Sequence, residues 1–124
     1  SLIDDEVYIN GDYNRLKQVL INLVKNSIEA INKDDGKIFI STNLNNNCFY
    51  IVIEDNGCGM SEEILSKIEE PFYTTKKNGT GLGISLSKEI LEAHNFKIEY
   101  KSNENVGTSV TITIPLDLAN KRSK

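Results

Sequence analysis

The sequence predicts a two-layer domain of the α/β class, in which helices cover one face of a β-sheet. A long helical pattern comes first, two pairs of β-rich segments follow, and a second helical pattern separates those pairs. The 124 residues, of which 39% are hydrophobic, suit one compact core. We therefore expect a single domain over residues 1–116 and a solvated tail over residues 117–124.

The first predicted element is an amphipathic helix over residues 13–32. Asp12 is a suitable N-cap, and the turn-forming residues 34–36 end the pattern. Small and apolar side chains recur at spacings of three and four residues, and they are Leu16, Val19, Leu20, Leu23, Ser27, Ala30 and Ile31.

The next two segments, residues 37–43 and 48–54, are rich in β-forming residues, and the asparagines at 45–47 join them. Their apolar side chains alternate, which places one face of each strand on a core. The pattern therefore predicts a hairpin that packs on the first helix.

The second half of the chain predicts two further helices and a second hairpin. Ser61 is followed by two glutamates, as in the capped first turn of a helix, and this short helix is expected to end near Ile68. Helical spacing resumes over residues 84–93. The last two strands are expected over residues 96–101 and 108–114.

Composition and charge argue against several classes of function. The 14 basic and 18 acidic residues are mixed along the chain, which gives a net charge of −4 and no basic patch for nucleic acid. Cys48 and Cys58 form no CxxC motif, so we expect reduced thiols and neither a disulfide framework nor a zinc site. The chain has no apolar run long enough for a membrane span and no basic leader. We expect a cytoplasmic domain, with any membrane anchor of the full-length protein upstream of Ser1.

Three polar residues lie on one face of the first predicted helix. Asn22, Asn26 and Glu29 occupy positions i, i+4 and i+7, so they follow one another beside the apolar stripe. From the helix alone, a solvated face explains this pattern as well as a binding site does.

An acid and two glycines follow the second predicted strand, in DNGCGM at residues 55–60. Gly57 and Gly59 permit positive φ angles and let a ligand approach the backbone. At the strand end, Asp55 could accept a hydrogen bond from an amine, and the amino group of adenine is one such donor. An ordinary Asp-Asn-Gly turn is the alternative.

A glycine-rich segment, GTGLG at residues 79–83, leads into the second long helix. It would place free N–H groups and the helix dipole where phosphate can bind, with Lys76 and Lys77 just upstream. Its context matches neither the dinucleotide-binding motif nor the P-loop, and surface lysines are the alternative. The composition of residues 71–83 predicts a mobile loop. The only histidine, His94, is expected to have a structural or capping role.

Taken together and in this order, the motifs resemble the catalytic and ATP-binding domain of sensor histidine kinases. That domain belongs to the superfamily shared with gyrase, the large heat-shock chaperone and mismatch-repair ATPases. The similarity extends from Val7 to Leu116, with one departure at HNF (94–96), where the family commonly has histidine followed by two glycines. The matching segments are the N box NLVKNSIEAI (22–31), the first glycine box DNGCGM (55–60), the F box EPFYTTK (70–76), the second glycine box GTGLGISLSK (79–88) and the closing strand GTSVTITIP (107–115).

The resemblance implies roles for residues at the matching positions. Asn26 would coordinate a Mg²⁺ ion that bridges the ATP phosphates, and Lys76 would face the same phosphates, which makes these two the expected catalytic residues. Asp55 would bind the adenine amino group. The other residues expected to contact the nucleotide are Asn22, Gly57, Gly59, Phe72, Thr80, Gly81, Leu82 and Gly83.

The resemblance also implies an architecture and a reaction. The fold would be a mixed, largely antiparallel sheet against three helices, with residues 71–83 as the ATP lid. The domain would present the γ-phosphate of ATP to a histidine on a separate dimerisation domain of the same kinase, and it would act on a response regulator only indirectly. His94 does not match that acceptor, and the domain alone is expected to be a monomer.

Two other functions stay open at this point. A nucleotide-responsive binding module, or a serine kinase of the anti-sigma type, would share the fold without histidine phosphotransfer. A stand-alone ATPase is disfavoured, because such relatives usually have glutamate where this chain has Asn22, and an amide cannot take a proton from water.

Overall fold

The computed structural model describes residues 9, 11–32, 34–70 and 83–116. The predicted order of elements is confirmed over these ranges. The helices are α1 (Tyr13–Ala30), α2 (Glu62–Leu65) and α3 (Gly83–Ala93), and the strands are β1 (Ile38–Asn45), β2 (Cys48–Asp55), β3 (Lys97–Asn103) and β4 (Gly107–Pro115).

The four strands form one sheet in the order β1-β2-β4-β3. Each hairpin pairs its own strands, and β2 pairs with β4 in the middle of the sheet. The predicted two-layer architecture is therefore confirmed. Within the described ranges every strand pair is antiparallel, so the parallel part of the expected mixed sheet has no counterpart there.

The core lies between one face of this sheet and the helices α1 and α3. Along β4 the apolar side chains alternate with threonines, so that only the apolar set faces the helices. Burial of each large apolar side chain contributes about 1.5–3 kcal/mol before entropy is subtracted. The buried core residues are Val19, Leu23, Ile53, Leu91, Phe96, Val110, Ile112 and Ile114.

The turn of the first hairpin depends on two asparagines. Asn46 and Asn47 have φ angles of 52° and 62°. Positive φ at both central residues is what a two-residue type I′ turn requires, and asparagine tolerates that region better than most residues. The asparagine run predicted as a connection is therefore the turn itself.

Helix α1 ends two residues earlier than its sequence pattern predicts. Ile31 is extended, with φ −90° and ψ 123°. The carbonyl of Ala30 accepts a hydrogen bond at 2.9 Å from the N–H of Cys58, which lies in the turn after β2. A contact from a distant part of the chain therefore decides where the helix ends.

Helix α3 ends in a Schellman motif. The N–H of Phe96 donates to the carbonyl of Leu91 at 2.9 Å, and the N–H of Asn95 donates to the carbonyl of Glu92 at 3.0 Å. Asn95 has a φ of 64°, the left-handed conformation that this motif needs. Phe96 and Leu91 are both buried, as expected for the apolar contact that accompanies the motif.

No helix among the residues that the structure describes is long and apolar enough to cross a bilayer.

The left-handed residue at the end of α3 gives a first prediction. Asn95→Ala should lower the free energy of unfolding by about 1 kcal/mol relative to Asn95→Gly, because only glycine adopts this φ without a Cβ clash. Urea denaturation of the two variants measures the difference. Equal midpoints for the alanine and glycine variants would contradict the role assigned to this residue.

Candidate functional site

The carboxylate of Asp55 lies at the end of β2 and shapes the turn that follows. Its Oδ1 atom accepts a hydrogen bond at 2.9 Å from the N–H of Gly57. Among the residues that the structure describes, its Oδ2 atom has no hydrogen-bond partner. The side chain is half-buried, so one oxygen holds the turn and the other is available to a ligand.

Both predicted glycines of this turn lie against other backbone segments. A Cβ atom on Gly57 would lie 2.5 Å from the carbonyl oxygen of Ala30, at the end of α1. Gly59 has a φ of 67°, and a Cβ atom there would collide with the carbonyl oxygen of Asn103. The turn is thus wedged between α1 and the second hairpin, and only glycine fits at these two positions.

Asn56 ties the same turn to the segment before β1. Its Oδ1 atom accepts from the N–H of Lys37 at 2.7 Å, and its Nδ2 atom donates to the carbonyl of Asp35 at 3.2 Å. The backbone N–H of Asn56 also donates to the carbonyl of Lys37. Sequence reasoning gave this side chain no role, although an asparagine in a turn commonly bonds to nearby backbone.

Two hydroxyls of the second hairpin support the other side of the turn. Ser102 Oγ accepts from the N–H of Met60 at 2.7 Å and lies 3.0 Å from the carbonyl of Gly107 and 2.8 Å from the hydroxyl of Thr108. A carbonyl can only accept, so the Ser102 proton goes to Gly107 and Thr108 donates to Ser102.

Thr108 is also the register partner of Asp55 across the β2–β4 pair, which places both side chains on the face of the candidate site. Sequence reasoning missed both hydroxyls, because nothing in the sequence distinguishes Ser102 and Thr108 from the other serine and threonines of this hairpin.

The amide face of α1 forms as the sequence spacing predicts. Asn22 and Asn26 are half-buried and Glu29 is exposed. The Nε2 atom of Gln18 donates to the Oδ1 atom of Asn22 at 3.0 Å, which extends the row of amides by one turn. The row therefore presents neutral polar groups at intervals of one helical turn.

The start of α3 and the amide row of α1 lie at similar distances, along their helices, from one contact between the two helix ends. The last turn of α3 meets the first turn of α1, where the N–H of Asp12 donates to His94 at 3.0 Å. The two helices pack on the same sheet face, so they run antiparallel from that joint. The eleven residues of α3 rise by about 16 Å. An equal rise along α1 from Asp12 reaches Asn22 and Leu23.

Gly83 is the only predicted nucleotide contact of the second glycine box that the structure describes. It is exposed as the first residue of α3, and a Cβ atom on it would meet no atom of the described residues within 4 Å. The helix dipole at this start favours an anion. The loop predicted over 71–83, apart from Gly83, lies outside the described residues. The same is true of the predicted nucleotide contacts Phe72, Lys76, Thr80, Gly81 and Leu82.

An ion pair joins the segment after α2 to α3. Lys88 Nζ lies 3.1 Å from Glu69 Oε1, and this hydrogen bond raises the pKa of Lys88 above its ordinary value. Burial raises the pKa of Tyr100, and the negative charge of Glu69 raises it further. Lys88 is therefore already paired with a carboxylate, and Tyr100 stays a neutral phenol.

The fold and this site define a class of ATP-binding domain. Over residues 11–118 the chain matches the family described as histidine kinase-, DNA gyrase B- and HSP90-like ATPase, and it belongs to that family. The family predicted from the motif order is therefore confirmed.

Individual relatives are sensor kinases. Sporulation kinase B of Bacillus subtilis (strain 168) is 44% identical over 115 residues, which cover 93% of this chain and 27% of that protein. The signal transduction histidine-protein kinase AtoS of Escherichia coli (strain K12) is 42% identical, with 94% of this chain and 19% of that protein covered. The chain thus spans less than a third of either relative.

A solved structure gives the same match in three dimensions. The catalytic domain of histidine kinase ThkA superposes with a TM-score of 0.77 at 39% identity, and the match covers 92% of this chain and 75% of that one. The chain is therefore homologous to the catalytic domains of sensor histidine kinases, in fold as well as in sequence.

The close contact between Gly57 and Ala30 gives a second prediction. Gly57→Ala should lower the free energy of unfolding by about 1–3 kcal/mol, because the added methyl group must push two backbone segments apart. Gly83→Ala is the matched control, since its methyl group enters open space and alanine favours the helix. Thermal unfolding compares the two, and a Gly57→Ala variant as stable as the control would contradict the assigned packing.

Proposed function

We propose that this chain is the ATP-binding catalytic domain of a sensor histidine kinase, which holds Mg·ATP and transfers the γ-phosphate to a histidine on a separate dimerisation domain. The observation that carries the proposal is the docking of the Asp55 turn on the end of the amide-bearing helix α1. That docking packs the Asp55 turn against the end of the helix that carries Asn22 and Asn26, which supports a base-binding role for the carboxylate and a phosphate-facing role for the amides. The names of the histidine-protein kinase AtoS and of the histidine kinase ThkA support the choice of histidine as acceptor.

Asp55 would recognise adenine through the oxygen that the turn leaves free. A carboxylate only accepts hydrogen bonds, so Oδ2 can bind the 6-amino group of adenine. Guanine has a carbonyl oxygen at that position, which a carboxylate repels. The site therefore favours ATP over GTP.

Asn26 and the start of α3 would hold the phosphates. Mg²⁺ prefers oxygen ligands and keeps several waters, so one amide oxygen together with phosphate oxygens suits it. The residues that the structure describes contain no cluster of three or more His, Cys, Asp or Glu that could hold a metal. A bound Mg²⁺ ion would neutralise charge on the transferring phosphate. Lys76, at the end of the F box, would add a cation.

Asn22 would keep the rate of ATP hydrolysis by this domain low. General-base catalysis needs a group that takes a proton, and neither Asn22 nor its hydrogen-bond partner Gln18 can do so. A neutral imidazole is itself a nucleophile and needs no such base. The row of amides therefore suits transfer to a partner histidine better than hydrolysis.

The remaining parts of the proposal concern the whole protein. The acceptor histidine would lie on the dimerisation domain of the same kinase, and a response regulator would take the phosphoryl group from it. We infer that the domain acts in the cytoplasm and is a monomer when separated from its dimerisation partner.

The role of Asp55 gives a third prediction. Asp55→Asn keeps an oxygen for the Gly57 N–H but presents an NH₂ group to the base, so Mg·ATP affinity should fall by about tenfold to a hundredfold. The preference for ATP over GTP should shrink in the same variant. Calorimetric titration measures both constants.

Glu54→Gln is the matched control for Asp55→Asn. It removes one negative charge at the neighbouring position, on the opposite face of β2, and Glu54 is exposed. Nucleotide affinity in this variant should stay within about twofold of the wild type. A wild-type chain that binds no ATP at millimolar concentration would contradict the proposed function.

Phosphotransfer gives a fourth prediction. The chain should release phosphate from ATP slowly by itself and should label an added histidine-bearing dimerisation domain when Mg²⁺ is present. Asn26→Ala should lose the Mg²⁺-dependent labelling, whereas Asn43→Ala, at an exposed site on β1, should not. Transfer of ³²P from γ-labelled ATP is the measurement. ATP turnover that ignores the added domain would favour an independent ATPase instead.

A further inference from the structure

The side chain of His94 caps two helices at once. Its Nε2 atom accepts a hydrogen bond at 3.0 Å from the N–H of Asp12, the N-cap of α1. Its Nδ1 atom lies 2.8 Å from the carbonyl oxygen of Ile90, in the last turn of α3. The imidazole thus joins the start of α1 to the end of α3, across 82 residues of sequence.

These two contacts fix the chemical state of the ring. The Asp12 N–H can only donate, so Nε2 must offer its lone pair. The Ile90 carbonyl can only accept, so Nδ1 must carry the proton. The arrangement therefore requires the neutral imidazole in one tautomer.

The first turn of α1 lacks the side chain that usually accepts a hydrogen bond from the N–H of the N-cap residue. In a capping box, glutamate or glutamine at the third helical position accepts from the N-cap N–H. In α1 that position is Arg15, which cannot accept, although its own N–H donates to Asp12 Oδ1 at 3.2 Å. The N–H of Asp12 therefore bonds to α3 rather than to α1.

Neighbouring residues also pack against the imidazole ring of His94. The rings of His94 and Phe96 have centroids 5.5 Å apart. A Cβ atom on Gly11 would lie 2.7 Å from Cδ1 of Leu16 and 2.8 Å from Cδ2 of His94, so a larger residue there would have to displace one of these side chains. The contact between the two helix ends is thus close and has little freedom.

We propose that His94 is a positioning residue, which sets the register of α1 against α3 and thereby the spacing between Asn26 and the start of α3. This inference rests on the proposed function. The joint is at one end of the antiparallel helix pair and the phosphate site is at the other. A slip at the joint moves one helix along the other and changes the distance between the two groups that hold the phosphates.

Two substitutions separate the two hydrogen bonds of His94. The amide nitrogen of His94→Asn can replace Nδ1 and keep the bond to Ile90, but the side chain is too short to reach Asp12. The amide oxygen of His94→Gln can replace Nε2 and keep the bond to Asp12. The register of α1 against α3 should therefore be kept in the glutamine variant and lost in the asparagine variant.

The measurement is the affinity of each variant for Mg·ATP and for adenosine, at a temperature where circular dichroism shows it folded. His94→Asn should weaken Mg·ATP binding by about threefold to tenfold, the size expected for one lost hydrogen bond. Adenosine, which needs only the base site, should bind within about twofold of the wild type. His94→Gln should bind both ligands as the wild type does.

A second variant tests the same joint from α1. Gly11→Ala pushes a methyl group against the imidazole, so it should repeat the selective loss of Mg·ATP affinity seen for His94→Asn. Normal Mg·ATP binding by both variants would overturn the inference, and so would equal losses for Mg·ATP and adenosine. A wild-type chain that binds neither ligand would overturn the proposed function as well.

Discussion

The rest of the site depends on one close approach between backbones, where the turn after β2 meets the end of α1. The missing side chain at Gly57 allows the contact, and the bond from the Cys58 N–H to the Ala30 carbonyl fixes it at 2.9 Å. That bond ends the helix and satisfies a carbonyl that would otherwise lack a partner. Since Asp55 belongs to the sheet and Asn26 to the helix layer, the same contact decides how far apart the two halves of the nucleotide site lie.

The charges of the site follow the polarity of the proposed ligand. In the proposed complex a carboxylate, Asp55, would recognise an amino group, whereas neutral amides and a helix start would hold the phosphates. A carboxylate beside the phosphates would repel them and would also supply a base for water. In the proposed function, amides rather than acids at positions 22 and 26 would serve two requirements, binding the polyanionic triphosphate and protecting it from hydrolysis.

The sequence predicts those parts of the molecule that depend on spacing along one element. The amide face of α1, the Asp55 turn with its two glycines, and the order of the hairpins all follow from periodicity and from residues that permit unusual φ. The end of α1 at Ala30 does not follow from periodicity, because a hydrogen bond from Cys58, in another part of the chain, determines it. Nor does the hydroxyl network of Ser102 and Thr108, since its contact with the N–H of Met60 arises only when the second hairpin meets the turn after β2. The residues of the second glycine box before Gly83 stay predictions.

The departure at residues 94–96 shows how a changed motif can keep a fold and add to it. Asparagine at 95 adopts the left-handed conformation that glycine would adopt there, with a φ of 64°, so the end of α3 is preserved. Phenylalanine at 96 supplies the buried contact of the Schellman motif, which a glycine could not. Its ring also lies beside His94. The substituted residues therefore support the imidazole that joins α1 to α3, and a motif with two glycines would hold that imidazole less firmly.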